Sequence, residues 1–171
     1  MNSTRFFSIL FLGFSILGID AHAVIEVGED VPEYCWTDVS EKKVCHPAFV
    51  GNVRVLIYST GWCPDCNKEM AILAVRSNEF EDKPVTFISL SAQGDIQGAP
   101  PTTAFLKTWK ERHKIPFLVA ASPRDAGKNF FAPPIYIPNV VIIGRDNRLA
   151  YKAIGPTVDE VFAEIKKAIG E

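Results

Sequence analysis

The feature that most constrains the fold is a junction. Val53-Arg54-Val55-Leu56-Ile57-Tyr58 is a dense run of β-branched and aromatic residues, and after Ser59-Thr60-Gly61 the chain reads Trp62-Cys63-Pro64-Asp65-Cys66. A helical pattern follows, with Met70, Leu73, Ala74 and Phe80 at spacings that put them on one face. Val85 to Leu90 is the next strand-like run. Strand, helix and strand in that order predict a βαβ unit with parallel strands and a right-handed crossover.

The rest of the chain continues the alternation. A second helix is predicted over Thr102 to His113, with Phe105, Leu106 and Trp109 on one face and His113 placed to complement the negative helix end. A strand is predicted over Phe117 to Ala120 and a short helical stretch near Asp125 to Phe131. After Pro133-Pro134-Ile135-Tyr136-Ile137-Pro138, the strand Asn139 to Ile143 turns at Arg145-Asp146-Asn147-Arg148 into an antiparallel partner at Leu149 to Lys152. The last helix carries a capping box at Thr157 and Glu160, an apolar stripe at Val158, Val161, Phe162, Ile165 and Ile169, and a terminating Gly170. Near the other end, Tyr34 to Val39 and Val44-Cys45 around a polar turn predict an N-terminal β-hairpin. The fold class is α/β, a central mixed sheet flanked by helices.

Phe6 to Ile19 carries no charge, follows Arg5 and leads into Asp20-Ala21-His22-Ala23, with small residues where a signal peptidase reads. As a helix the run reaches about 21 Å, at roughly 1.5 Å per residue, short of a hydrocarbon core about 30 Å thick. Residues 1–23 are therefore expected to be a cleaved signal peptide and residues 24–171 one exported domain, with no membrane insertion after cleavage. Lys and Arg number 18 against 20 Asp and Glu, a formal charge of -2, which leaves no cationic excess for a phosphate backbone. Nucleic acid is excluded as a partner.

Cys63 and Cys66 are three apart and fall at the start of a helix, so both sulfurs face one side. Cys63 sits where unpaired N–H groups and the positive helix end favour a thiolate, which makes it the nucleophile. Cys66, one turn deeper, is fitted to resolve a mixed disulfide. Pro64 suits the first helical position and Trp62 offers a flat apolar lip. Asp65 sets a negative charge between the cysteines and opposes the helix-end effect, predicting a reducing or intermediate pair.

These residues resemble the active site of the thioredoxin superfamily. Val27-Gly28-Glu29-Asp30-Val31-Pro32 is similar to the opening segment of its redoxin and TlpA-like branch, and Ile137-Pro138-Asn139-Val140-Val141 resembles its cis-proline segment. The resemblance implies a thioredoxin-like fold and a protein-disulfide oxidoreductase with catalytic Cys63 and Cys66. Trp62, Pro64, Ile137 and Pro138 would bind substrate, and no cofactor is needed. It further implies substrate proteins with disulfides and a membrane or soluble thiol reductase as electron donor. Glu69 falls where the branch often has an acidic residue after the cysteine pair. Glu69 and Asp38 are both candidates for the proton acceptor.

Cys35 and Cys45 flank the predicted hairpin and have two readings, a structural disulfide that staples it or a second redox pair. Two alternatives to a disulfide oxidoreductase remain. One is a redox-fold metal-binding module or metallochaperone that holds a thiophilic ion on the CxxC pair. The other is a thiol peroxidase, for which Thr60 precedes Cys63 by three residues but Leu56 stands where that signature has a proline.

Overall fold

The structure, a computed structural model, describes residues 24–123 and 126–171. The expected signal peptide and the first residue of the expected helical stretch at Asp125 lie outside the described residues. The organising strand is β3 (Val53–Ser59), every residue of which is buried. Such a strand has both faces covered, which explains its unbroken run of Val, Leu and Ile. It passes into helix α1 (Pro64–Arg76) and returns through the parallel strand β4 (Val85–Ser91). Helix α2 (Thr103–Arg112) then leads to β5 (Leu118–Ala121), parallel to β4.

Strand β6 (Asn139–Ile143) lies antiparallel on the other side of β3 and pairs with β7 (Leu149–Ile154). Strands β1 (Cys35–Asp38) and β2 (Lys43–Cys45) form the hairpin, with β1 antiparallel to β5. The sheet has seven strands in the order β2-β1-β5-β4-β3-β6-β7. Helix α3 (Val158–Ile169) closes the chain with both capping-box hydrogen bonds in place and Gly170 in the left-handed region at φ 88°.

The two faces of the sheet are covered differently. Buried residues of all three helices pack with Val55, Ile57, Phe87, Val119 and Val140 in one core. Crossovers β3-α1-β4 and β4-α2-β5 step across the sheet in the same direction, and two crossovers of one hand then deposit their helices on the same face. The other face, with Leu56, Tyr58, Ile88 and Leu90, is covered by Val31, Trp36, Phe130 and Phe131 from non-helical segments and β1.

Three local departures have physical causes. Helix α1 stops at Arg76, and Phe80 reaches the core from a separate 3-10 turn, Ser77–Phe80. The stretch before Phe131 is likewise a single 3-10 turn, Ala126–Asn129, too short for an α-helix. Arg54 is fully buried within β3, where its Nη2 donates to the Gly144 carbonyl and ties the strand to the β6–β7 turn.

Cys35 and Cys45 lie directly opposite each other across β1 and β2 and are joined by a disulfide. Closing so small a loop is worth about 2–3 kcal/mol through the unfolded chain. Replacing both cysteines by Ser is expected to lower unfolding stability by that amount in urea titration while leaving disulfide-reduction rates unchanged. An unaltered urea midpoint would show that the bridge does not staple the fold.

Candidate active site

The junction after β3 is shaped by close packing. A Cβ on Gly61 would lie 2.7 Å from a ring carbon of Phe105, so only glycine lets the loop pass here, with its N–H donating to the Gly94 carbonyl at 3.2 Å. Two residues on, Cys63 is the N-cap of α1, in extended conformation, and Pro64 occupies the first turn. The Cys63 Sγ accepts the Cys66 backbone N–H at 3.2 Å, so a thiolate formed there would meet a donor and the positive helix end. Cys63 and Cys66 are disulfide-bonded, Cys63 being 5% exposed and Cys66 0%. Cys63 is therefore the sulfur a partner can reach.

Helix α1 buries Cys66, Glu69, Met70, Leu73 and Ala74 along one stripe. Glu69 lies one turn beyond Cys66 on that stripe, and neither of its carboxylate oxygens has a hydrogen-bond partner. Burial pushes its pKa up to about 7. Such a carboxyl can take and return a proton at neutral pH. Asp38, the other candidate, is not brought to the site. It belongs to β1, three strand intervals from β3, or about 14 Å at roughly 4.8 Å per interval. Its Oδ1 accepts the N–H groups of Ser40 and Lys42 at 2.7 and 2.9 Å, and thus caps the hairpin turn. Asp65 projects into solvent, 3.5 Å from Lys68, so its charge is partly neutralised and acts on Cys63 less than its place between the cysteines suggests.

The facing wall comes from the loop before β6. The Ile137–Pro138 bond is cis, and the Ile137 carbonyl oxygen lies 4.0 Å from the Cys63 Sγ. Trp62, Cys63, Pro64 and Ile137 line one groove of about 400 Å³, with the exposed Tyr136 among its walls. Pro138 itself does not line it; the preceding residue does. Trp62 is held by its Nε1, which donates to Gln93 Oε1 at 3.2 Å. Among the described residues, no lysine, arginine, histidine or carboxylate lines it.

Several site residues were not visible from the sequence. Asn67 Nδ2 donates to the Gly61 and Cys63 carbonyls at 3.0 and 2.8 Å, which leaves its Oδ1 to accept from His113 Nε2 at 3.1 Å. The end of α2 thereby steadies the cysteine turn. His113 does not complement the helix end as a cation, because burial and the neighbouring Arg112 lower its pKa and its ring packs on Trp109. Ser59 Oγ, Thr60 Oγ1 and Asn139 Oδ1 are buried without partners, and all three residues line the groove. Thr60 has a spacing to Cys63 in the sequence, but nothing there announces the groove, which is assembled from β3 and the β6 approach.

The sequence profile of the Redoxin family matches residues 26–169. A thiol-disulfide oxidoreductase, ResA of Bacillus thuringiensis subsp. konkukian, is 25% identical over 147 residues, covering 85% of this chain and 79% of the relative. Among solved structures, a thioredoxin-family thiol:disulfide interchange protein of Chlorobium tepidum superposes with a TM-score of 0.70 at 16% identity, covering 86% of this chain and all 100% of its own. A secreted disulfide oxidoreductase of Mycobacterium tuberculosis gives 0.62 at 18%, over 78% and 95%. These superpositions establish the thioredoxin-like fold.

The Glu69 environment sets a pH signature. Its folded-state pKa of about 7 lies above the ordinary 4.5, so the folded chain holds the proton more tightly than the unfolded one. Stability contributed by this site is fully present below the ordinary value and is lost as pH rises through the window to about 7, by on the order of 3 kcal/mol. Glu69→Gln in the oxidised protein is expected to raise the melting temperature over wild type at pH 8, and the gain should shrink as pH approaches 4. A pH-independent difference would place the burial cost elsewhere.

Proposed function

This chain belongs to the Redoxin family, and from that premise we propose that it is an exported thiol-disulfide oxidoreductase that reduces disulfides of substrate proteins. The observation that carries the reading is the asymmetric cysteine pair at the start of α1, with a buried, unpartnered carboxyl one turn beyond Cys66.

In the reduced enzyme the Cys63 thiolate attacks one sulfur of a substrate disulfide. The S–S bond breaks, the other substrate sulfur leaves as a thiolate, and a mixed disulfide joins substrate to Cys63. Cys66 then gives its proton to the Glu69 carboxylate and attacks the Cys63 sulfur. The second substrate thiolate is released, and two electrons have passed from the Cys63–Cys66 pair to the substrate. Both substrate thiolates take up protons, one of which Glu69 can return. Trp62, Pro64 and Ile137 form the surface against which substrate docks, and Pro138 holds the Ile137 carbonyl beside Cys63. A membrane or soluble thiol reductase regenerates the dithiol.

A reducing direction is supported by what surrounds Cys63. A strongly oxidising pair needs a heavily stabilised thiolate in its reduced form. Here the thiolate has one backbone donor and the helix end, and among the described residues no basic side chain lines the groove, while Asp65 and Glu69 add carboxyl groups on the first two turns of the same helix. The balance favours the disulfide form of the enzyme and hence a reductant. Export is supported by the leader-like residues 1–23 and by the second disulfide, which suits an oxidising compartment. Among the described residues no helix is long and apolar enough to cross a membrane.

Turnover of a disulfide-bonded protein substrate tests this directly. Cys63→Ser is expected to abolish reduction, and Cys66→Ser to accumulate a covalent enzyme–substrate disulfide on Cys63 that is visible by mass mapping. Glu69→Gln should slow resolution by roughly 10²-fold and remove a titration near neutral pH from the rate profile. Equal trapping on Cys63 and Cys66, or an unchanged pH profile in Glu69→Gln, would contradict the assigned roles.

A further inference from the structure

A second concavity, larger than the groove at Cys63, lies at the same end of the sheet. Its volume is about 640 Å³ and its walls include Tyr34, Cys35, Trp36 and Pro123, and Pro123 is shared with the Cys63 groove. Strand β1 runs antiparallel to β5 with Thr37 opposite Ala121, so Cys35 extends past the end of β5, at the same edge of the sheet as Cys63. Three strand intervals, about 14 Å, separate the two sites, so Cys63 cannot attack the Cys35–Cys45 bond of its own chain.

The hairpin carries a third ligand. Glu33 Oε1 lies 3.3 Å from the Cys35 Sγ, and the ligand atoms of Glu33, Cys35 and Cys45 all fall within 4.8 Å of one another. Both cysteines are half-buried and Glu33 is exposed. We propose that Glu33, Cys35 and Cys45 form a zinc-binding site that exists only when the hairpin disulfide is reduced.

The geometry of the open pair fits a tetrahedral ion. With Zn–S near 2.3 Å and Zn–O near 2.1 Å, the sulfurs sit about 3.8 Å apart and each sulfur about 3.6 Å from the carboxylate oxygen. The Glu33–Cys35 separation is already close to this. The sulfurs need only part across a strand pair whose register is kept by Trp36 opposite Val44 and Thr37 opposite Lys43. Two thiolates with one carboxylate and a water suit Zn²⁺, whereas an all-soft set would be wanted for Cu⁺.

The chemistry balances with a dithiol as reductant. A dithiol attacks the Cys35–Cys45 bond and resolves itself, passing two electrons, so that Cys35 and Cys45 become thiols and the reductant becomes a disulfide. Zn²⁺ then displaces the two thiol protons to solvent and is bound by the two thiolates and the Glu33 carboxylate. A small-molecule disulfide reoxidises the pair by taking its two electrons and becoming two thiols with protons from solvent, and the Cys35–Cys45 bond re-forms as the ion is released. The inference is independent of disulfide exchange at Cys63.

The test uses the chain carrying Cys63→Ser and Cys66→Ser, so that only the hairpin can bind. After phosphine reduction and desalting, Zn²⁺ is titrated against a chromophoric chelator. One zinc per reduced chain and none per oxidised chain is expected, with Co²⁺ in its place giving a thiolate-to-metal absorption band. Glu33→Gln should weaken binding at least tenfold. No uptake by the reduced chain, equal uptake by the oxidised chain, or undiminished binding by Glu33→Gln would each overturn the proposal. Should the double substitution impair folding, the reduced wild-type protein serves instead: zinc should protect Cys35 and Cys45 from alkylation, and lack of protection would overturn the site.

Discussion

Everything at the site depends on how β3 delivers the chain to the first turn of α1. Because β3 is buried on both faces, its end point is held by neighbours on either side, β4 and β6. The unsatisfied N–H groups of the new helix are thereby fixed at one place, and Cys63 is fixed with them. The glycine-only passage at Gly61 and the Asn67 hydrogen bonds keep that turn from relaxing. A thiol on a mobile loop would have neither the helix end nor the cis-proline loop to define its reactivity.

The same arrangement divides labour within α1. One residue at the helix start faces the groove, and the next two functional positions on the stripe, Cys66 and Glu69, turn into the interior. Burial then acts twice. It shuts Cys66 off from solvent, and it leaves the Glu69 carboxyl without partners, so that its pKa rises to about 7. Stability is reduced when Glu69 ionises, a loss the rest of the core has to offset.

Much of this was legible in the sequence because it is local. The Val53 to Tyr58 run, the Cys63 and Cys66 spacing, Pro64 at the first helical turn and the Thr157–Glu160 capping box each rest on neighbours in the chain. What was not legible depends on tertiary placement. Asp38 and Glu69 looked alike as acidic candidates, and only the sheet order separates them by putting β1 three intervals from β3. His113 read as a helix-end cation, yet its role comes from meeting Asn67 across the junction. Arg54 read as part of an apolar strand, and its burial is explicable only through the β6–β7 turn it reaches.

A Cys63–Cys66 pair without strong thiolate stabilisation is expected to work as a reductant. The direct measurement is the equilibrium of the Cys63–Cys66 pair in graded thiol buffers, with alkylation and mass mapping to assign which bond opens. A potential near or below roughly −240 mV is predicted, with each 30 mV worth about 1.4 kcal/mol between the two forms. A value near roughly −120 mV would contradict this reading, because the helix end and the Cys66 N–H would then stabilise the thiolate enough to make the protein a disulfide donor.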